Sequence, residues 1–68
     1  MAKYYVNQTP QENGDHEVHE KGCSYMPSAA KRLYLGEFTN CHDAVKEAKL
    51  HYPQSNGCQS CSSDCHTG

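Results

Sequence analysis

The stretch Gly57-Cys58-Gln59-Ser60-Cys61-Ser62-Ser63-Asp64-Cys65-His66-Thr67 is the part of the sequence on which the fold is expected to depend. Within it, Cys58 and Cys61 form a C-x-x-C pair, whose two thiolates can face one ion. An H-x-x-x-C pair, His19 and Cys23, lies upstream. Two such pairs, separated by a strand-like segment and a helix-like segment, are typical of a four-ligand zinc site. The sequence therefore predicts one Zn²⁺ ion bound by His19, Cys23, Cys58 and Cys61.

The chain is short of apolar material, which gives the predicted ion a structural purpose. Its 68 residues are 35% hydrophobic, with no Trp and one Phe. Ordering each residue costs about 1.5 kcal/mol, and scaffolds of this size usually need a disulfide, a metal or a partner to fold. A structural zinc ion contributes about 10–16 kcal/mol of apparent binding free energy in small peptides. A single zinc-stabilised domain spanning residues 1–68 is therefore expected.

Charge and hydropathy exclude several functional classes. The formal net charge is -2, and the lysines and the arginine are scattered rather than clustered, so no nucleic-acid partner is indicated. No apolar run is long enough to span a membrane. Residues 1–6 turn polar at Asn7, which does not fit a signal peptide, so a cytoplasmic location is expected. In a reducing compartment, closely spaced cysteines indicate metal or redox chemistry rather than disulfides.

The remaining sequence predicts a small α+β fold. Strand propensity is highest in residues 3–7, 15–19 and 32–38, which predicts an antiparallel sheet of about three strands. Gly36 is expected to weaken the third strand or mark a bulge. One helix is expected to follow Thr39 or Asn40 and to stop at Pro53. Residues 54–57 are expected to form a turn that leads into the C-x-x-C pair.

The predicted helix has one apolar face, formed by Cys41, Ala44, Val45, Ala48 and Tyr52. On this face, Cys41 is interpreted as a free buried thiol that acts as a small hydrophobic residue. His42 and His51 are expected to be exposed helix residues rather than ligands.

Other ligand sets and other chemistries stay open at this point. Cys65 or His66 could replace one member of the four, and His16 could replace His19. Five cysteines also allow two disulfides in 15 arrangements, and residues 61–66 form a one-residue expansion of the C-x-x-C-H haem attachment motif. The expected reducing compartment disfavours disulfides, and the small apolar content disfavours a haem pocket.

The two pairs His19–Cys23 and Cys58–Cys61, with the strand and helix between them, resemble the Ada-type metal-binding domain. The resemblance covers roughly residues 4–61 and rests on the order of the two ligand pairs around the strand of residues 33–36 and the helix of residues 44–48. It implies a small antiparallel sheet with a helix, holding one zinc ion. The chain is also similar to a small group of bacterial proteins that share the segments 13–19 and 65–67, a likeness that implies no activity.

One position departs from the Ada pattern in a way that bears on function. In that family the first ligand is a cysteine that accepts a methyl group from a DNA phosphotriester, whereas His19 stands here and imidazole cannot take that part. Because four ligands leave no open coordination position, the leading hypothesis is a non-enzymatic structural zinc module, with protein interaction with an unknown partner as one option for its role. The alternative is a thiol redox or metal-handling protein that uses the C-x-x-C pair and the spare cysteines. A catalytic zinc site with Glu17 or Glu20 as the base is a weaker third hypothesis.

Overall fold

The computed structural model describes residues 1–67, which form a four-stranded mixed sheet and one α-helix. In chain order the elements are β1 (Ala2–Asn7), β2 (His16–Glu20), β3 (Arg32–Phe38), α1 (Cys41–His51) and β4 (Ser55–Gly57). Two single-turn 3₁₀ helices lie at Ala29–Lys31 and Ser63–Cys65. The α+β class with one helix is confirmed.

The strand order in the sheet is β3-β1-β2-β4. β1 pairs antiparallel with β2 and with β3, and β2 pairs parallel with β4. The predicted count of about three strands and the fully antiparallel arrangement are wrong, because residues 55–57 join the sheet as a fourth, parallel strand. A parallel pair needs a long crossover, which β3 and α1 supply here.

β4 was expected to be a turn because Ser, Asn and Gly have low strand propensity. Side-chain hydrogen bonds from the neighbouring loop hold it in the sheet instead. Asp15 accepts from Gln54 Nε2 at 2.8 Å and from Asn56 Nδ2 at 3.3 Å, and these bonds lower the pKa of its carboxyl. All three residues of β4 are buried. Tertiary contacts therefore override the local preference.

The helix begins and ends where its sequence signals predict. Asn40 is the N-cap, and its side chain accepts a hydrogen bond of 3.0 Å from the backbone N–H of Asp43. The last residue of the helix is His51, two residues before Pro53. No helix among residues 1–67 has the length and apolar character that crossing a membrane requires.

The core lies between the sheet and the helix, and it is small. Val6 and Val18 on the sheet and Ala44 and Ala48 on the helix are fully buried. The two alanines let the helix backbone approach the sheet closely. Partly buried side chains surround this centre: Leu33, Leu35, Phe38, Val45 and Tyr52.

A disulfide joins Cys41, the first residue of α1, to Cys65 in the second 3₁₀ turn, over a sequence separation of 24. The interpretation of Cys41 as a free thiol is therefore wrong, although the residue is buried as expected. The chain returns over the start of the helix after β4, which brings the two cysteines together.

Gly36 marks an irregularity in the sheet, as expected. Tyr4 pairs with Gly36 and Tyr5 pairs with Tyr34, so the β1–β3 register shifts by one residue and Leu35 is left over. Gly36 has a φ of 124°, a conformation that side chains disfavour.

Candidate metal centre

The parallel pairing of β2 and β4 brings the two predicted ligand pairs to one end of the sheet. Val18 lies opposite Gly57, and the backbone N–H of Cys58 donates to the carbonyl of Val18 at 2.9 Å. His19 on β2 and Cys58 after β4 are therefore neighbours. Because β2 and β4 are parallel neighbours, the segments that follow them leave the sheet side by side at the same end.

Two tight turns then return the second cysteine of each pair towards the first residue. After β2, the N–H of Cys23 donates to the carbonyl of Glu20 at 3.1 Å, and Gly22 takes a φ of 94°. After β4, the N–H of Ser62 donates to the carbonyl of Cys58 at 2.9 Å. Each turn leaves its cysteine sulfur facing the other pair.

The four side chains meet at spacings that suit a tetrahedral ion. One ligand atom from each of His19, Cys23, Cys58 and Cys61 lies within 4.8 Å of all the others. The sulfurs of Cys23 and Cys58 are 3.9 Å apart, and Cys61 Sγ is 3.8 Å from His19 Nδ1. Zinc bonds of about 2.3 Å to sulfur and 2.0–2.1 Å to nitrogen give tetrahedral edges of about 3.8 and 3.6 Å. The donor set therefore fits Zn²⁺.

The surroundings of His19 suit a metal-binding imidazole. Its side chain is fully buried, and its Nε2 has no hydrogen-bond partner among the described residues. Burial lowers the pKa of the imidazole, which keeps the ring neutral, and the neutral ring is the form that binds metals. Nδ1 faces Cys61, so an ion there would leave the proton on Nε2.

The carboxylate of Glu17 lies near that nitrogen without forming a hydrogen bond to it. Its Oε1 lies 3.6 Å from His19 Nε2, and its side chain is largely buried. Metal-binding histidines usually direct their second ring nitrogen towards a carboxylate or carbonyl, which orients the ring. The sequence analysis considered Glu17 only as a possible base of a catalytic site. The available signal was its place two residues before His19 on a strand, which puts both side chains on one face.

The environment of Cys61 shows what an ion would change. Burial raises the pKa of its thiol, opposed in part by the backbone N–H of Glu20, which donates to Cys61 Sγ at 3.3 Å. An N–H directed at sulfur stabilises the thiolate form. A bound cation would complete that stabilisation, because zinc takes the deprotonated thiol.

The alternative ligands are engaged elsewhere. His16 Nδ1 lies 2.9 Å from the carbonyl oxygen of Asn7, and its ring stacks on Tyr52 at 4.0 Å. His66 Nδ1 lies 3.1 Å from the carbonyl oxygen of Gly57. Cys65 is bonded to Cys41, so its sulfur is not free to bind this ion or a haem group. His42 and His51 are exposed, as predicted.

No protein-family model matches the chain, and no significant similarity to a curated protein or to a solved structure is found. The Ada-type resemblance therefore rests on the spacing of the four residues and stays a prediction. What stands independently is a small mixed α+β fold whose Cys and His side chains are placed to hold a metal ion.

Proposed function

We propose that this chain is a non-enzymatic structural zinc-binding module in which one Zn²⁺ ion joins the ends of β2 and β4. One observation carries the proposal: the ligand atoms of His19, Cys23, Cys58 and Cys61 gather within 4.8 Å, in a mostly buried position. The Ada-type resemblance agrees with this donor set in number and order.

Two features of the fold, the short β4 and the small core, leave room for stabilisation by an ion. β4 is three residues long and lies at the edge of the described sheet, beside β2, and the core between sheet and helix is small. An ion coordinated from both strand ends ties the segment after β4 to the centre of the sheet. Structural zinc sites contribute about 10–16 kcal/mol of apparent binding free energy in small peptides, and this becomes folding free energy.

Four protein ligands also favour a structural function over a catalytic one. A catalytic zinc site keeps a coordination position for water or substrate, and four protein ligands occupy every position of the tetrahedron. Glu17 approaches the far nitrogen of His19, which suits orientation of the ring, and Glu20 Oε1 accepts from the Tyr4 hydroxyl at 3.3 Å. Neither carboxylate has the placement of a general base for metal-bound water.

Native mass spectrometry of the protein purified with zinc tests the proposal. We expect one zinc ion per chain, lost on acidification. Cys23→Ser and Cys61→Ser should each reduce the bound zinc, whereas Ser60→Ala, at an exposed position between the two C-x-x-C cysteines, should not. A metal-free parent protein with the same fold would contradict the proposal.

The alternative function, thiol redox chemistry or metal handling, is supported by the partial exposure of two of the cysteines. Cys23 and Cys61 are only partly buried. Titration of the zinc-loaded protein with a chromogenic disulfide separates the two functions. A rapidly reacting cysteine in protein that keeps its zinc favours the redox function, and protection of all three thiols favours the structural one. The cytoplasmic location stays a prediction, and it requires that the Cys41–Cys65 disulfide be reversible, since reducing compartments keep most thiols reduced.

A further inference from the structure

We propose that Cys41, His42 and Cys65 form a second metal site, which exists only when the Cys41–Cys65 disulfide is reduced. Their two sulfurs and one imidazole nitrogen all lie within 4.8 Å of one another. Two sulfurs and a nitrogen are a donor set that zinc takes readily. The site shares no residue with the four-ligand centre and does not depend on it.

The local structure supports a site at this place. Cys41 and His42 are the first two residues of α1, and Cys65 lies in the 3₁₀ turn that packs on that end of the helix. The N-terminal end of a helix favours negative charge, as a thiolate carries. Cys41 and Cys65 are buried, whereas His42 is exposed and can swing towards an ion without disturbing the core.

Opening the disulfide requires a two-electron reductant, for which a water-soluble phosphine serves. The phosphorus attacks one sulfur, the S–S bond breaks, and water then delivers its oxygen to phosphorus, leaving two thiols and a phosphine oxide. Zn²⁺ binding replaces the two thiol protons. The Cα atoms of Cys41 and Cys65 are 6.2 Å apart, so side-chain rotation alone can widen the sulfur separation to the roughly 3.8 Å of a zinc-bound pair.

This second site differs in character from the first. Three protein ligands leave one tetrahedral position for water or for a ligand from another molecule, which suits exchange of the ion. A small-molecule disulfide would reverse the process: Cys41 and Cys65 thiolates give up two electrons, their S–S bond forms, and the reagent leaves as two thiolates. The ion is then released, because only His42 still binds it. The sulfurs of Cys41 and Cys65 can therefore either bond to each other or bind the ion, but not both at once.

The test compares metal stoichiometry in oxidised and phosphine-reduced full-length protein by native mass spectrometry with Zn²⁺. We expect one ion per chain in the oxidised protein and two in the reduced protein. His42→Ala should lower the affinity for the second ion by at least about 10–100-fold, the loss that follows when a residue hydrogen-bonded to a metal ligand is removed. His51→Ala, at an exposed histidine at the other end of the same helix, is the matched control and should leave both ions in place.

If the oxidised protein binds one ion, a reduced protein that also binds only one would overturn the second site. A His42→Ala protein that binds the second ion as tightly as His51→Ala does would overturn it too. The double variant Cys41→Ser, Cys65→Ser should bind one ion with or without phosphine; two ions would also contradict the inference. An oxidised protein without metal would contradict the four-ligand centre alone. In that case a single ion in the reduced protein, sensitive to His42→Ala, still supports the second site.

Discussion

Val18 and Gly57 lie opposite each other in the parallel pair β2–β4, and one residue further along each strand stand His19 and Cys58. This register decides which side chains can share an ion. It places the H-x-x-x-C segment and the C-x-x-C segment at one end of the sheet, adjacent in space although Cys23 and Cys58 are 35 positions apart in sequence.

Gly57→Ala should destabilise the protein, because an added Cβ has no room. It would lie 2.6 Å from the Cβ of Cys65 and 2.7 Å from the carbonyl oxygen of Ser62. Overpacking of this kind costs about 1–3 kcal/mol. Urea unfolding of the zinc-loaded protein measures the loss, with Ser60→Ala as the exposed control. Equal midpoints for the two variants would mean that the segment after β4 does not pack as described.

Glu17→Gln should lower zinc affinity while leaving the fold intact. The variant removes the negative charge 3.6 Å from His19 Nε2 but keeps the size of the side chain. Loss of such an outer partner usually costs about 10–100-fold in metal affinity. Competition with a chromophoric chelator measures the change. Glu37→Gln alters net charge by the same amount at an exposed position on β3 and should have no effect. Equal affinities for the two variants would exclude Glu17 from this function.

Replacing both Cys41 and Cys65 by alanine should lower the free energy of unfolding of the oxidised protein by about 3 kcal/mol. The disulfide closes a loop over a separation of 24 residues, and loops of that size give about this entropy loss in the unfolded chain. Urea unfolding under identical zinc concentrations measures the difference. The same comparison after phosphine reduction, with zinc held at one equivalent per chain, should bring the parent and the variant together; a gap of the same size there would assign the loss to packing instead.

Zinc affinity should depend steeply on pH. Three thiols must each lose a proton to bind as thiolates, and burial raises the pKa of the Cys61 thiol, so apparent affinity should fall by up to about 1,000-fold per pH unit at pH values where all three are protonated. Burial keeps the pKa of His19 below its ordinary value, so no fourth proton should compete until the pH falls below about 6.5. Zinc titrations at several pH values give the slope. A slope near two would remove one thiolate from the proposed set.

Much of the fold follows from local signals in the sequence. The helix could be predicted because Asn40 caps it, Pro53 follows its end and its apolar residues recur at helical spacing. The grouping of His19 with Cys23, and of Cys58 with Cys61, could be predicted because short spacings limit how far apart side chains can lie. Each of these inferences needs only neighbours in the chain.

Features that depend on distant contacts could not be predicted in the same way. β4 consists of residues that disfavour strands, and it forms because Asp15 and β2 hold it. The Cys41–Cys65 bond was one of 15 arrangements, and only the return of the chain over the helix selects it. The approach of Glu17 to His19 could be expected from their i, i+2 spacing on a strand, but the burial of this pair at the sheet end could not.

The most direct measurement of the structural role of the ion is the amide chemical-shift dispersion of the disulfide-intact protein before and after zinc is removed with a chelator. We predict that the dispersed resonances of the zinc-loaded protein collapse when the ion is withdrawn and return when one equivalent of zinc is restored. A spectrum that keeps its full dispersion in protein shown to be free of metal would contradict the claim that the ion holds β2 and β4 together.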